Sequence, residues 1–213
     1  MFKTPVMRRG TLFTSPQEGW DLNLYLIRGR RFHYLIDTGL GSGSMEALHQ
    51  ELRGDDTPVI VINTHYHWDH IWGNASAPGG LIVSHKLCPG LIERNWSAML
   101  EAKSGYRQGE TALRLPDLVF DRELYFAEDG IRLIHTPGHT EDSISVLDEQ
   151  DRVLFAGDNL GDTPEELMPS LAAPKETYLD TLSLYERLPF DLLLSGHNRI
   201  FDRSVLSRVR NLL

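Results

Sequence analysis

The amino-acid sequence predicts a mixed α and β layered domain spanning its 213 residues. Two observations carry this. Short apolar or alternating runs end repeatedly in small or polar residues, and four longer stretches show helical spacing. Residues 11–14, 22–27 and 32–37 read as strands, the last two flanking a hairpin turn at Gly29 that leaves Arg28, Arg30 and Arg31 in solvent. A helix over 43–53 follows, with Ser44 able to cap it. The β-branched run Pro58-Val59-Ile60-Val61-Ile62-Asn63-Thr64 predicts a buried strand over 59–63, and 81–84 reads as another. A helix over 86–103 comes next. Strands are expected at 124–127, 131–135, 143–148 and 153–157. Pro174 sits at the start of a helix over 175–187, then a strand at 192–195 and a helix over 202–212 close the chain. Early and late hairpins with helices between them predict two mixed sheets with helices outside. No low-complexity segment, long linker or short-period repeat divides the chain, so residues 1–213 read as one domain.

Composition narrows the function. Hydrophobic content of 41% and charged content of 24% are ordinary globular values. A net charge of −9 disfavours nucleic-acid and anionic-membrane partners, whose phosphates require clustered cations. No apolar run is long enough to span a bilayer, and Met1 to Gly10 lacks the apolar centre of a secretory signal. The single cysteine, Cys88, permits no internal disulfide and favours a reducing compartment, so the cytoplasm is the expected location. A small-molecule substrate is the expected partner. An exposed strand or helix has the same pattern as an interface rim, so the sequence sets no oligomeric state.

The chemistry concentrates in His65-Tyr66-His67-Trp68-Asp69-His70, directly after the predicted strand over 59–63. Imidazole nitrogen and carboxylate oxygen are donors that zinc and similar cations accept. Histidines at i, i+2 and i+5 do not share one helix face, which predicts a loop at a strand exit. The same arrangement recurs at His135-Thr136-Pro137-Gly138-His139, at Phe155-Ala156-Gly157-Asp158-Asn159 and at Leu194-Ser195-Gly196-His197-Asn198. In each, an apolar run ends at a small residue that permits a tight turn, and a potential ligand follows. Among the other histidines, His33 and His49 read as surface residues, His135 as a packing residue, and His85 as preceding the helix near Lys86.

This motif series resembles the metallo-β-lactamase superfamily across almost the whole chain. Leu35-Ile36-Asp37-Thr38-Gly39 resembles its first motif, His65 to His70 the second, His139 the third, Asp158 the fourth and His197 the fifth. The resemblance implies a four-layered αββα sandwich of the α+β class. It implies that His65, His67 and His139 bind one metal, that Asp69, His70 and His197 bind another, and that Asp158 bridges them. Zinc β-lactamases usually carry cysteine where Asp158 stands, so the pattern is closer to glyoxalase II-like hydrolases. Only about 16 residues follow His197, so the C-terminal helical extension of those enzymes is missing, which weakens a glutathione thioester as substrate. The chain also has no histidine between Asp158 and His197 of the kind used by the phosphodiester-cleaving branches.

Two divalent ions about 3.5–4 Å apart can share a water and bring its pKa toward neutrality. The expected activity is therefore hydrolysis of a small ester, thioester or lactone at a centre of two Zn2+, with Asp69 and Asp158 at the reacting water. One alternative is an oxygenase resembling persulfide dioxygenase, with one Fe2+ on His65, His139 and Asp158. Another is a metal-stabilised binding protein without turnover. Asp37 either orients a ligand histidine or caps its own turn. Tyr66 and Trp68, with Trp72, either wall the pocket or wedge the ligand loop. Asn159 and Asn198 either offer an amide to substrate or hold turns. Residues 86–117, carrying Trp96, Met99, Leu100, Tyr106 and Leu113 and interrupted by Gly105 and Gly109, are a lid candidate; the competing reading is a helix whose inner face is core.

Overall fold

A computed structural model describes residues 1–213, and the chain divides into two compact units. The first comprises Met1–Thr14 and Leu24–Phe120; the second comprises Ser15–Asn23 and Asp121–Leu213.

The first unit is organised on a seven-stranded sheet in the order β1 (Phe2–Val6), β2 (Gly10–Pro16), β3 (Asp21–Arg28), β4 (His33–Ile36), β5 (Val59–Ile62), β6 (Leu81–His85) and β7 (Leu118–Phe120). β1 and β2 pair antiparallel, as do β3 and β4, whereas β4 through β7 run parallel. Parallel strands are covered on both faces, which is why β5 is an unbroken β-branched run instead of an alternating one. One face packs Leu24, Leu26, Leu35, Val61 and Ile82 against Met45 and Leu48 of α1 (Ser42–Glu51). Those two helical residues sit three apart and so share a face. A second cluster joins Ile71 and Trp72 to Cys88 and Ile92 of α3 (Cys88–Ala102), with Trp96, Met99 and Leu100 packed on it. Between β5 and β6 lies α2 (Trp68–Ile71), a single turn.

The second unit holds a six-stranded sheet ordered β13 (Phe201–Asp202), β12 (Leu192–Leu194), β11 (Val153–Phe155), β10 (Ile144–Asp148), β9 (Ile131–His135) and β8 (Glu123–Phe126). All neighbours are antiparallel except β11 and β12. Leu147, Leu154 and Leu193 pack with Tyr178, Leu182 and Tyr185 of α4 (Lys175–Tyr185) and with Val205, Leu206 and Val209 of α5 (Val205–Arg210). Each fully buried leucine contributes about 1.5–3 kcal/mol of transfer free energy.

Several expectations are corrected. β1, β7 and β13 are absent from the sequence reading, and the helix expected over 202–212 starts only at Val205. Asp202 explains that start, since its carboxylate accepts the Ser204 N–H at 2.8 Å and turns the chain out of β13. Ser44 is not a cap. α1 begins at Ser42, and the buried Ser44 hydroxyl accepts the Leu40 N–H at 3.0 Å from inside the first turn. His33 is buried, because its Nε2 lies 2.8 Å from an Asp55 carboxylate oxygen. His49 is exposed as expected, whereas His135 is only half-buried, its Nε2 bonded to the Glu141 carbonyl. No helix is long and apolar enough to cross a membrane.

Candidate metal centre

The first ligand set is built where β4 and β5 end side by side, with Ile36 paired to Ile62. Asp37 leaves β4 with a positive φ of 60°, a conformation that Asp and Asn adopt more readily than most residues. That turn aims its fully buried carboxylate across at the neighbouring strand's exit. Oδ1 accepts the Thr64 N–H at 2.7 Å, while Oδ2 accepts the Thr64 hydroxyl and the His70 Nδ1–H, each at 2.8 Å. Burial pushes the Asp37 carboxyl above its ordinary range, and the charge and hydrogen bond of His70 oppose that rise. The Thr64 hydroxyl gives its one proton to Asp37 and so accepts from His65 Nδ1 at 3.1 Å. One carboxylate thereby sets the tautomer of two histidines, directly for His70 and through Thr64 for His65. Both rings thereby carry the proton on Nδ1 and the lone pair on Nε2.

The other donors lie close by. Donor atoms of His65 and His67, of His65 and His70, and of Asp69 and His70 are each within 4.8 Å of one another. Asp69 Oδ2 sits 3.6 Å from His70 Nε2. The loop expected at 65–70 is loop only as far as His67; α2 supplies Asp69 and His70. Behind them, the amides of Asn63 and Asn74 exchange two hydrogen bonds at 2.9 Å, and the Thr38 N–H donates to the His70 carbonyl at 2.9 Å. A Cβ on Gly73 would stand 2.1 Å from the Thr38 carbonyl oxygen, so glycine is required there by space alone. Tyr66 and Trp68 are half-buried and pack on the cluster that buries Trp72 completely.

The second set is arranged by β9, β11 and β12. His139 follows β9, and its Nδ1–H donates to the Ser170 carbonyl at 2.9 Å. His197 follows β12, and its Nδ1–H donates to the Asp21 carbonyl at 2.9 Å. A carbonyl oxygen only accepts, so both rings carry their proton on Nδ1 and offer Nε2. These Nε2 atoms lie 3.8 Å (His139) and 3.0 Å (His197) from the same Asp158 oxygen, Oδ2. A neutral imidazole lone pair held 3.0 Å from a carboxylate is two acceptors facing each other, a pairing that a proton or a metal cation between them relieves. Two imidazole nitrogens and a carboxylate, with second N–H groups donated to fixed acceptors, fit a divalent metal. The site residues of both units thus form His and Asp clusters able to hold metal.

Asn159 is fully buried and braces turns. Its amide donates to the Thr136 carbonyl at 2.7 Å and the Tyr185 hydroxyl at 2.9 Å, and its Oδ1 accepts the His139 N–H at 3.0 Å. With both donors committed, it is not an amide offered to substrate. The Asn198 amide is likewise bonded to the Gly161 carbonyl at 2.7 Å. Burial pushes the hydroxyls of Tyr178 and Tyr185 above the ordinary phenol range, keeping both protonated where they serve these turns. Sequence reasoning missed Thr64, Trp20 and Asn23. Trp20 meets the His197 ring edge-on at 5.1 Å, and with Asp21, Asp162, His197, Asn198 and Arg199 it lines a cleft of about 340 Å³ within the second unit.

Comparison with known proteins agrees with this picture. The family model of the metallo-beta-lactamase superfamily matches residues 19–197. A probable metallo-hydrolase of Methanocaldococcus jannaschii is 29% identical over 208 residues, covering 89% of this chain and 93% of its own. An acyl-coenzyme A thioesterase of Bos taurus is 26% identical over 222 residues, covering 91% of this chain and 78% of its own. The chain spans only 38% to 58% of several other curated relatives. Among solved structures, a metallo-beta-lactamase from Pontibacter korlensis superposes with a TM-score of 0.76 at 22% identity, over 99% of this chain and 97% of that one. That likeness bears out the fold class expected from the motif series.

Proposed function

The chain belongs to the metallo-beta-lactamase superfamily and is a hydrolase of that superfamily; from this premise we propose that it cleaves a small thioester, lactone or related ester at a dinuclear zinc centre. In this reading residues 1–213 act as one domain. His65, His67 and His139 would hold one zinc, Asp69, His70 and His197 the other, and Asp158 would be shared between them. The observation that supports the reading is the contact of the Nδ1 atoms of His65, His70, His139 and His197 with oxygen acceptors, which puts the ring proton on Nδ1 and the lone pair on Nε2.

A zinc pair supplies Lewis acidity and lowers the pKa of water. The chain's own residues do the rest. Asp37 keeps two rings in the ligating tautomer. Asp69 and Asp158 would balance cationic charge, and Asp69 would accept or relay a proton at a carboxylate oxygen. Tyr66 and Trp68, packed with α3 on one apolar cluster, keep the ligand loop in place. The name of the bovine relative supports a thioester as the substrate class.

Metal analysis of the purified protein is expected to find close to two zinc ions per chain. A panel of thioesters, lactones and phosphodiesters should then show turnover of the first or second class, abolished by a chelator, restored by zinc and lost in Asp158→Ala. One iron per chain with oxygen uptake on glutathione persulfide would replace this reading by an oxygenase. No metal-dependent turnover of any substrate would replace it by a binding role.

A further inference from the structure

His197 stands on a loop after a three-residue strand, an arrangement that leaves the loop's height and the ring's rotation undetermined by β12 itself. The Gly196 N–H donates to the Gly157 carbonyl at 3.0 Å and the Asn198 amide to the Gly161 carbonyl at 2.7 Å, and one short stretch far away in sequence supplies a further set of bonds. The Asn23 main-chain N–H donates to the Gly196 carbonyl at 2.7 Å. Its side-chain amide donates to the Ser195 carbonyl at 3.0 Å and the Asn198 carbonyl at 2.7 Å. A single residue therefore grips three carbonyls among four consecutive residues, with His197 between them. The Asn23 side chain is 1% exposed, so these bonds do not compete with water. Two residues earlier, the Asp21 carbonyl takes the His197 Nδ1–H, and Trp20 abuts the ring.

We propose that Asn23 is a positioning residue that clamps the His197 loop and thereby sets how tightly the second metal, the one assigned to Asp69, His70 and His197, is held. The proposal rests on the reading that His197 is a ligand. The two amide protons are the essential feature. An aspartate of the same shape offers only acceptors to the Ser195 and Asn198 carbonyls and pushes them away. Alanine removes the side-chain grip and keeps the main-chain bond.

The test is a chelator-competition titration of the metal-free full chain with zinc, for wild type, Asn23→Ala and Asn23→Asp. Outer partners of ligating histidines typically change metal affinity by about 10–100-fold. The second zinc step should weaken by that factor in Asn23→Ala and by more in Asn23→Asp, with the first step unchanged. Equal weakening of both steps would mean general loosening and would overturn the clamp, as would unchanged affinities or wild-type affinity in Asn23→Asp.

Nitrogen-15 spectra of the metal-free protein give an independent readout. In wild type, His197 should show one tautomer protonated at Nδ1, and the Asn23 amide protons should exchange slowly; Asn23→Ala should mix the tautomers. A rapidly exchanging Asn23 amide in wild type sinks the clamp without any variant having to fold. If wild type binds no second zinc, the dinuclear reading fails, and these spectra alone decide the clamp.

Discussion

Replacing Asp37 by asparagine isolates one function of that residue, because asparagine suits a φ of +60° and has the same shape. The Oδ1 atom of the new amide still accepts the Thr64 N–H. The other position changes sign: an NH2 group now faces His70 Nδ1 and the Thr64 hydroxyl, both of which donated to Asp37 Oδ2 at 2.8 Å. Thr64 adapts by accepting instead, which frees its proton for His65 Nδ1, 3.1 Å away. Both histidines are then driven to the tautomer protonated at Nε2, the form that does not ligate. A hydrogen bond to a charged group is worth about 1.5–3 kcal/mol. At 1.4 kcal/mol per factor of ten, the loss is about 10- to 100-fold in zinc affinity, the usual range for such partners. Apo stability should fall far less, since removing a fully buried charge also removes its desolvation cost. Zinc titration against a competing chelator, paired with thermal melting of the metal-free protein, reads both quantities. Zinc affinities within about twofold of wild type would refute the tautomer argument. So would a loss of affinity that merely tracked a collapse in melting temperature.

Other perturbations address the frame around the site. Gly73→Ala keeps an ordinary φ of −82° yet drives a Cβ to 2.1 Å from the Thr38 carbonyl oxygen, so urea denaturation should show a loss of about 1–3 kcal/mol or more. A change under about 0.5 kcal/mol would show that the turn relaxes freely. Leu154→Ala, in the fully buried core of the second unit, should cost about 2–5 kcal/mol by the same assay. The His33 hydrogen bond, then those from Thr57, hold the Asp55 carboxyl well below the usual carboxylate range. A folded pKa lowered in this way gives stability that is present above the unfolded value of about 3.9 and lost as pH falls through the folded one. The melting-temperature advantage of wild type over Asp55→Asn should therefore be full above about pH 4 and shrink below it. An advantage that persists undiminished into strong acid would contradict the assignment.

The candidate ligands were legible in the sequence because their chemistry is written in side chains: three histidines and an aspartate within six positions, then His139, Asp158 and His197 each just beyond an apolar run. Long or β-branched strands were legible for the same reason. β1, β7 and β13 were not. Lys3-Thr4-Pro5 carries no strand signal, and it is strand because Thr11 to Phe13 pair with it. β13, at two residues, is too short for any period to register, and β7 is as apolar as the equally short β11 and β12 but lacks the glycine turn that follows each of them. His33 read as a surface residue because its partner Asp55 is 22 positions away. What holds the ligands was harder still. Ser170 and Asp21 act through main-chain carbonyls, which carry no residue identity. Asn23 did leave a trace, as a lone polar residue between Leu22 and Leu24 in a run that is otherwise buried and apolar.

The two kinds of acceptor have different consequences. His70, and His65 through Thr64, depend on a side-chain carboxylate that a single substitution removes. His139 and His197 depend on carbonyls that survive every substitution except one that moves the backbone. Their vulnerability is therefore displaced onto the residues that fix that backbone: for His197, the Asn23 contacts at Ser195, Gly196 and Asn198. For His139, it falls on Asn159 and on the space kept by Gly138, where a Cβ would meet Asn159 Oδ1 and the Tyr178 ring at 2.6 Å. Substitutions at Asp37 should act as chemical changes, sharply dependent on which atoms donate. Substitutions at Gly138 should act as steric ones, scaling with the volume added. A Gly138 series in which alanine and serine differ by hydrogen-bonding capacity and not by size would contradict that division.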